Sequence, residues 1–427
     1  MAAAVATESS YSVLPHLPPS KEIPATFGQS FKHWWAVGDK GSAASEERLL
    51  RRVSSYRPAS QVSLPSNSTD SDVISYSERV TLSNPKHWLN MFAMKPTAPK
   101  ADAPPPAVVL HGYGAGLGFF FLNFPTLAKW AGARGTPVYA LDWLGMGRSA
   151  RPPFRIKAKR TEVPERVAEA ESFFLDALEE WRQKMGLEKM TLVGHSLGGY
   201  LSVAYALRYP DRVSKLVLLS PVGVPHDPDS TESPDRELTD DQHTGSEGPQ
   251  AGSTGRVEAI KQEQAARKRQ PTRTMKFLMY LWEEGWSPFQ IVRSTVFWGP
   301  MLVGRYSSRR FGSLDEEETR DIHDYLLNLT LMKGSGEYCI SHLLAPGAHA
   351  RLPLVDRIAA LKIPVTFAYG EHDWMDPEGG QASIDNMRKA GNYNGKMYVV
   401  PKAGHHLYMD NASAVNTLLV SELDYRP

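Results

Sequence analysis

Ser196 lies in the stretch KMTLVGHSLGGYLSVAYALRYP, residues 189–210, between an apolar run of strand type and a run that favours helix. Gly194 and Gly198 flank it in the spacing G-x-S-x-G. Packing gives no reason for a hydroxyl at such a junction, and Gly198 and Gly199 weaken the first turn of a helix. A sharp strand-to-helix turn gives one. Small neighbours permit the strained backbone, and the serine oxygen is lifted above the sheet edge. The N–H groups and dipole of the following helix favour negative charge developing there. These are the requirements of a serine nucleophile.

Such a hydroxyl needs a base, and the base needs an orienting acid; in this architecture the chain order is Ser, acid, His. His405 follows Gly404 at a strand end in KAGHHLYMD and is the preferred base, with His406 as its near rival. The acid stays open between Asp373 and Asp376 in YGEHDWMD. Asp373 is preferred because it is nearer the strand end, whereas Glu371 sits barely past the strand. The unused acid is expected to cap the helix that begins near Pro377. An oxyanion hole needs two N–H donors. Leu197 supplies one, and Tyr113 in HGYGAG the other, with Gly112, Gly114 and Gly116 letting the backbone come close. No G-x-x-x-x-G-K-[ST] follows, so this loop is not a nucleotide cradle.

Those residues sit at the ends of short apolar runs. PAVVLHGYG, PVYALDWLGMGRS, the run before Ser196, VSKLVLLSP, IPVTFAYGEHDW and GKMYVVPKAGHHLYMD read as strands, and long helical stretches alternate with them. The rhythm predicts an α/β fold with a mostly parallel central sheet and helices on both faces. ERVTLSN and WLNMFAMKP read as a strand pair that opens the core near residue 73. Residues 1–72 are expected to be an N-terminal segment, mobile over 1–30, with a short helix over 44–57. Trp34 and Trp35 there either cap the core from outside or anchor the chain at a lipid–water boundary. The core resumes in two parts, 73–225 and 351–427. Between them come a polar disordered insertion (226–272, its end basic) and an aromatic helical cap (273–350).

The composition narrows the class. A chain of 427 residues with 41% hydrophobic and 22% charged residues has enough apolar material for one large core. Its formal charge of +1, from 48 basic and 47 acidic residues, argues against a nucleic-acid partner. The single Cys339 allows no internal disulfide and no cysteine cluster for zinc, and an intracellular setting is the simpler reading; separately, no metal or other cofactor is expected. No apolar run of about 18 residues predicts a membrane span. The N-terminus lacks the pattern of a secretory signal, while EERLLRRVSSYR (46–57) is basic and amphipathic and leaves an organelle address open.

HGYGAG, DWLGMGRS, GHSLGGYLSVAYALRYPDRV, WGPMLVGRYSSRRF, YGEHDWMD and GHHLYMD together resemble the α/β-hydrolase domain-containing 4/5 family, over about residues 31–425 without 226–272. The likeness is nearest to fungal cardiolipin-specific deacylases; a lipid-droplet lipase co-activator also belongs to the family. It implies an α/β-hydrolase fold and a phospholipid acyl ester as substrate. It also implies work at a membrane or lipid-droplet surface, in the mitochondrion or at droplets. On this basis the chain is expected to be a carboxylic ester hydrolase that forms an acyl-enzyme at Ser196. The family's H-x-x-x-x-D pattern, His405 to Asp410, implies the alternative of acyl-CoA-dependent transfer to lysophosphatidic acid. The co-activator branch carries asparagine at the nucleophile position, and the retained Ser196 favours an enzyme. Arg305, Arg309 and Arg310 are candidates to meet phosphate.

Overall fold

The structure is a computed structural model that describes residues 16–58, 72–225, 250–251 and 273–425. Nine strands form one sheet: β1 (Val73–Thr81), β2 (Trp88–Pro96), β3 (Ala107–Leu110), β4 (Val138–Leu141), β5 (Met190–His195), β6 (Val213–Leu219), β7 (Gln250–Ala251), β8 (Val365–Gly370) and β9 (Gly395–Val400). Their spatial order is β1-β2-β4-β3-β5-β6-β8-β9-β7. The six strands from β4 to β9 in that order run parallel. β1 and β2 add an antiparallel edge, and β7 an antiparallel pair with β9 at the other.

The short inner strands AVVL and VYAL are buried at every position, as a sheet covered on both faces requires. Their side chains alternate between two cores. Val108 and Leu110 join Leu192, Phe174, Trp181 and Tyr200 on one face. Ala107 and Val109 join Phe120, Phe124 and Leu418 on the other. Helices Val163–Lys184 and Leu197–Arg208 cover the first face, and Phe124–Arg134 and Ala412–Asp424 the second. The six parallel strands all end at one rim, where loops carry the chemistry-bearing residues.

The chain over 273–343 is helical: Arg273–Glu283, Pro288–Ser294, Gly299–Arg310, Glu316–Leu331 and Ile340–Leu343. The polar stretch expected over 226–272 lies outside the described residues, except that Gln250–Ala251 forms β7 rather than irregular chain.

The N-terminal segment differs from expectation. Residues 1–15 and 59–71 lie outside the described part, but within it two helices, Phe27–Ala36 and Asp39–Leu50, are docked. Thr26 and Gln29 cap the first reciprocally. The buried Ser30 hydroxyl donates to Phe297 O at 2.6 Å and accepts from Met301 N–H at 3.1 Å. The second helix starts at 39 and stops at 50, not 44 to 57. Past it, the backbone turns to the sheet: Arg57 N–H donates to Ser75 O and Ser75 N–H to Ser55 O, at 2.7 and 3.0 Å. Of the two tryptophans, Trp35 is 76% exposed, while Trp34 packs edge-on to Phe297 at 4.9 Å. No helix among the described residues is long and apolar enough to cross a membrane.

Candidate active site

β5 ends at His195 and the next helix begins at Leu197, so Ser196 alone reverses the chain. It does so at φ 51° and ψ −117°, a region L-residues rarely enter. Backbone hydrogen bonds hold this turn. Ser196 N–H donates to Leu219 O at 2.9 Å, and Ser196 O accepts from Tyr200 N–H at 3.1 Å. The flanking glycines are required by close approach. A Cβ at Gly194 would lie 2.5 Å from Gly198 O, and one at Gly198 would lie 2.6 Å from His111 O. The loop after β3 passes equally close, because a Cβ at Gly112 would sit 2.9 Å from Ser196 Cβ.

The loops after β8 and β9 bring the acid and the imidazole together. His405 Nδ1 lies 3.0 Å from Asp373 Oδ1, and that oxygen also accepts from Met375 N–H at 3.0 Å. With its proton on Nδ1 donated to the carboxylate, His405 keeps Nε2 as the basic nitrogen. His405 O lies 3.0 Å from His195 Nε2, which ties this loop to the residue before the serine. The Trp374 ring packs 4.9 Å from the His405 ring. Both His405 and Asp373 are buried.

The other candidates make contacts of their own. Asp376 accepts from Glu378 N–H at 2.8 Å and caps helix Pro377–Lys389. Glu371 accepts from Lys402 N–H at 2.9 Å across the loops. His406 lines the cavity beside Ser196, and burial, with Arg310 adding to it, pushes its pKa well below the usual value. Burial, and then His405, does the same to His195.

Asp410 is engaged by the cap. Arg310 donates to both its oxygens, at 2.9 and 3.2 Å, and Gly404 N–H donates to it at 2.9 Å. Burial works against the Arg310 charge, but Asp410 outweighs it and raises the pKa above its ordinary value. The pair thus fastens the residue before His405 to helix Gly299–Arg310. Of the three arginines singled out in the sequence, Arg310 is spent on this clamp, and Arg305 and Arg309 line the cavity.

That cavity has a volume of about 530 Å³, with Ser196, Leu197 and Tyr113 on its wall and mostly apolar cap side chains opposite. Leu197 N–H opens its helix and has no acceptor within it. Phe289 of the cap packs 5.4 Å from the Tyr113 ring, and a Cβ at Gly114 would strike the Phe289 ring.

A buried polar network beneath the Tyr113 loop escaped the sequence reading. Asp142 accepts from Leu117 N–H at 2.7 Å and Arg148 N–H at 2.8 Å. Asn90 bridges Asp142 to Glu46 at 2.8 and 2.9 Å, and Arg148 pairs with Glu46 at 2.7 Å. Burial pushes Glu46 up to about 6, against the pull of Arg148. Beside it, burial pulls His111 down to about 4, so its ring is neutral and accepts from Trp143 N–H at 3.2 Å. Asp142 and Arg148 lie in the quoted DWLGMGRS. Glu46 had no signal, because its partners are 44 and 102 residues away.

A family profile described as alpha/beta hydrolase fold matches residues 105–412. The chain is 34% identical over 390 residues to a probable 1-acylglycerol-3-phosphate O-acyltransferase of Oryza sativa subsp. japonica, covering 90% of this chain and 81% of that one. It is 32% identical to 1-acylglycerol-3-phosphate O-acyltransferase ABHD5 of Sus scrofa, with 74% and 77% covered. Identity to the (lyso)-N-acylphosphatidylethanolamine lipase of Homo sapiens is 29%, with 75% and 80% covered.

Proposed function

We propose that this chain, which belongs to the α/β-hydrolase family and to its domain-containing 4/5 group, is a serine hydrolase that removes an acyl chain from a glycerophospholipid. One observation carries the reading: the strained Ser196 opens on an apolar cavity, and a buried His405–Asp373 pair is bonded to the residue before it.

In the reaction, Ser196 Oγ attacks the ester carbonyl while His405 Nε2 takes its proton. The Leu197 and Tyr113 N–H groups stabilise the oxyanion. His405 then gives the proton to the leaving lysolipid oxygen as the C–O bond breaks. Water, losing a proton to His405, cleaves the acyl-enzyme and releases the fatty acid and free Ser196. Asp373 holds the imidazole orientation and its charged form. The apolar wall takes the acyl chain, at about 0.8 kcal/mol per buried methylene. The exposed aromatics Phe27, Phe31, Trp35, Phe277, Tyr280 and Trp298 suit a peripheral contact with a membrane or droplet surface.

The test incubates purified protein with a mixed mitochondrial and droplet lipid extract, following cardiolipin and phosphatidate among the products. Loss of an acyl chain from one glycerophospholipid class is expected. Ser196→Ala should lower the rate at least about 10³-fold and abolish fluorophosphonate labelling while remaining folded. An unlabelled, folded wild type with unchanged lipids overturns the reading.

The relatives named as acyltransferases favour a second reading, in which the hydroxyl of a lysophospholipid replaces water as acceptor. Phosphatidate formed from acyl-CoA, and persisting in Ser196→Ala, would move the chemistry to His405 and Asp410. The engagement of Asp410 with Arg310 and Gly404 speaks against that.

A further inference from the structure

The cavity over Ser196 carries a lopsided charge. Among the described residues that line it there is no Asp, Glu or Lys, and the only formal charges are Arg305 and Arg309. His195 and His406, also on the wall, are held neutral by burial. The two arginines stand one turn apart on helix Gly299–Arg310, and both are exposed. Like charges at that spacing repel. No acid among the described residues pairs with either, whereas their neighbour Arg310 is held bidentate by Asp410. A helix that neutralises one arginine and, among the described residues, leaves two others uncompensated on the wall of an apolar cavity is arranged for an anion brought by the ligand.

We infer that Arg305 and Arg309 recognise the phosphate of the substrate headgroup and set a preference for a phosphomonoester glycerolipid over an uncharged acylglycerol. This inference rests on the hydrolase reading for the identity of the scissile bond. The guanidinium fork matches two phosphate oxygens at once, and a phosphomonoester offers three to a pair of forks. The acyl chain lies along the apolar wall, the ester reaches Ser196, and the phosphate sits against the helix. The same phosphate chemistry is presented by an anionic membrane surface, and the experiment separates the two sources.

Full-length wild type, Arg305→Gln, Arg309→Gln and the double variant are assayed in detergent micelles. The substrates are oleoyl lysophosphatidate, monooleoylglycerol and p-nitrophenyl octanoate. Both side chains are exposed, so the variants are expected to melt like wild type. The double variant should show a raised KM for lysophosphatidate, with kcat/KM down about 10- to 100-fold. The other two esters should change less than about 3-fold, and each single variant should fall between. Binding of a non-hydrolysable 1-O-alkyl glycerol phosphate to Ser196→Ala should weaken in parallel when the arginines are replaced. That binding result stands even if wild type cleaves none of the esters, an outcome that sinks the hydrolase reading alone. Co-sedimentation with phosphatidylglycerol vesicles should be unchanged. Weaker vesicle binding with equal losses on all three esters assigns the arginines to the membrane surface and overturns the inference, as does an unchanged lysophosphatidate preference.

Discussion

The floor and the roof of the cavity are built by different means. The floor is made of strand ends, and backbone holds it: Ser196 to Leu219 and Tyr200, glycines at van der Waals limits, and the His405–Asp373 pair within one pair of loops. The roof is made of cap helices, braced from outside by the N-terminal helices, and side-chain ions hold it. Arg48 and Arg52 reach Asp321 at 3.2 and 2.9 Å, Arg310 reaches Asp410, and Arg351 reaches Glu283 at 3.0 Å. A backbone-fixed floor keeps reacting atoms within narrow limits, as attack geometry demands. The roof is positioned by long side chains, most of which do not touch the reacting groups. On the proposed hydrolase reading, chemistry and selectivity would be set by different parts of the molecule.

The largest effect that would break this contrast is at the floor. Asp373→Asn should lower kcat about 10³- to 10⁴-fold with little change in KM, because the imidazole loses the partner that sets its tautomer. Asp376→Asn, three residues away, should leave kcat within about 3-fold and cost at most about 1 kcal/mol in urea unfolding, because it caps a helix. Reversed results would give the acid role to Asp376. Next is the ion pair that ties the roof to the loop of His405. Asp410→Asn leaves Arg310 buried without its counter-charge and should cost about 3–5 kcal/mol in denaturant unfolding. It should also lower kcat on every ester alike, since Gly404 loses the same carboxylate. A stability loss with untouched turnover would show that the roof does not position His405.

The smallest effect distinguishes floor from roof by pH. Burial pulls His111 in the floor down to about 4 and His323 in the roof down to about 3. Both fall below the ordinary 6.5, so the unfolded chain binds more protons between those limits. The stability they confer is full above about pH 6.5 and is lost as pH falls through the folded values. Glu46, raised to about 6, acts in the opposite sense as pH rises from 4.5. Melting temperature measured from pH 7.5 to 4 should therefore fall less steeply in His323→Asn than in wild type. Parallel curves would remove the roof histidine from the balance.

Legibility in the sequence follows the same division. The floor could be read because its parts are local. G-x-S-x-G records a turn whose limits are set by residues two positions away, and β8 and β9 end a few residues before Asp373 and His405. A helix cap near Pro377 was also expected, and Asp376 accepts from Glu378 N–H there. The roof could not be read, because its partners are distant. Arg48 and Asp324 are 276 residues apart, and no periodicity links them. The second N-terminal helix was misplaced for a related reason: apolar spacing over 44–57 continues past Leu50, but the backbone of 55–57 finds better hydrogen-bond partners in β1. Gln250–Ala251 pairs with β9 as a strand, and a backbone pairing leaves no mark in a polar stretch.

Docking of the first two helices bears on how this chain can be matured. Asp321 and Asp324 are each about 3% exposed, and their cationic partners Lys21, Arg48 and Arg52 all come from the N-terminal segment. Proteolytic trimming past Arg52 would strand two carboxylates inside helix Glu316–Leu331 and strip Ser30 from the Phe297 turn. An N-terminal cut that keeps all of these ion pairs has to fall upstream of Lys21.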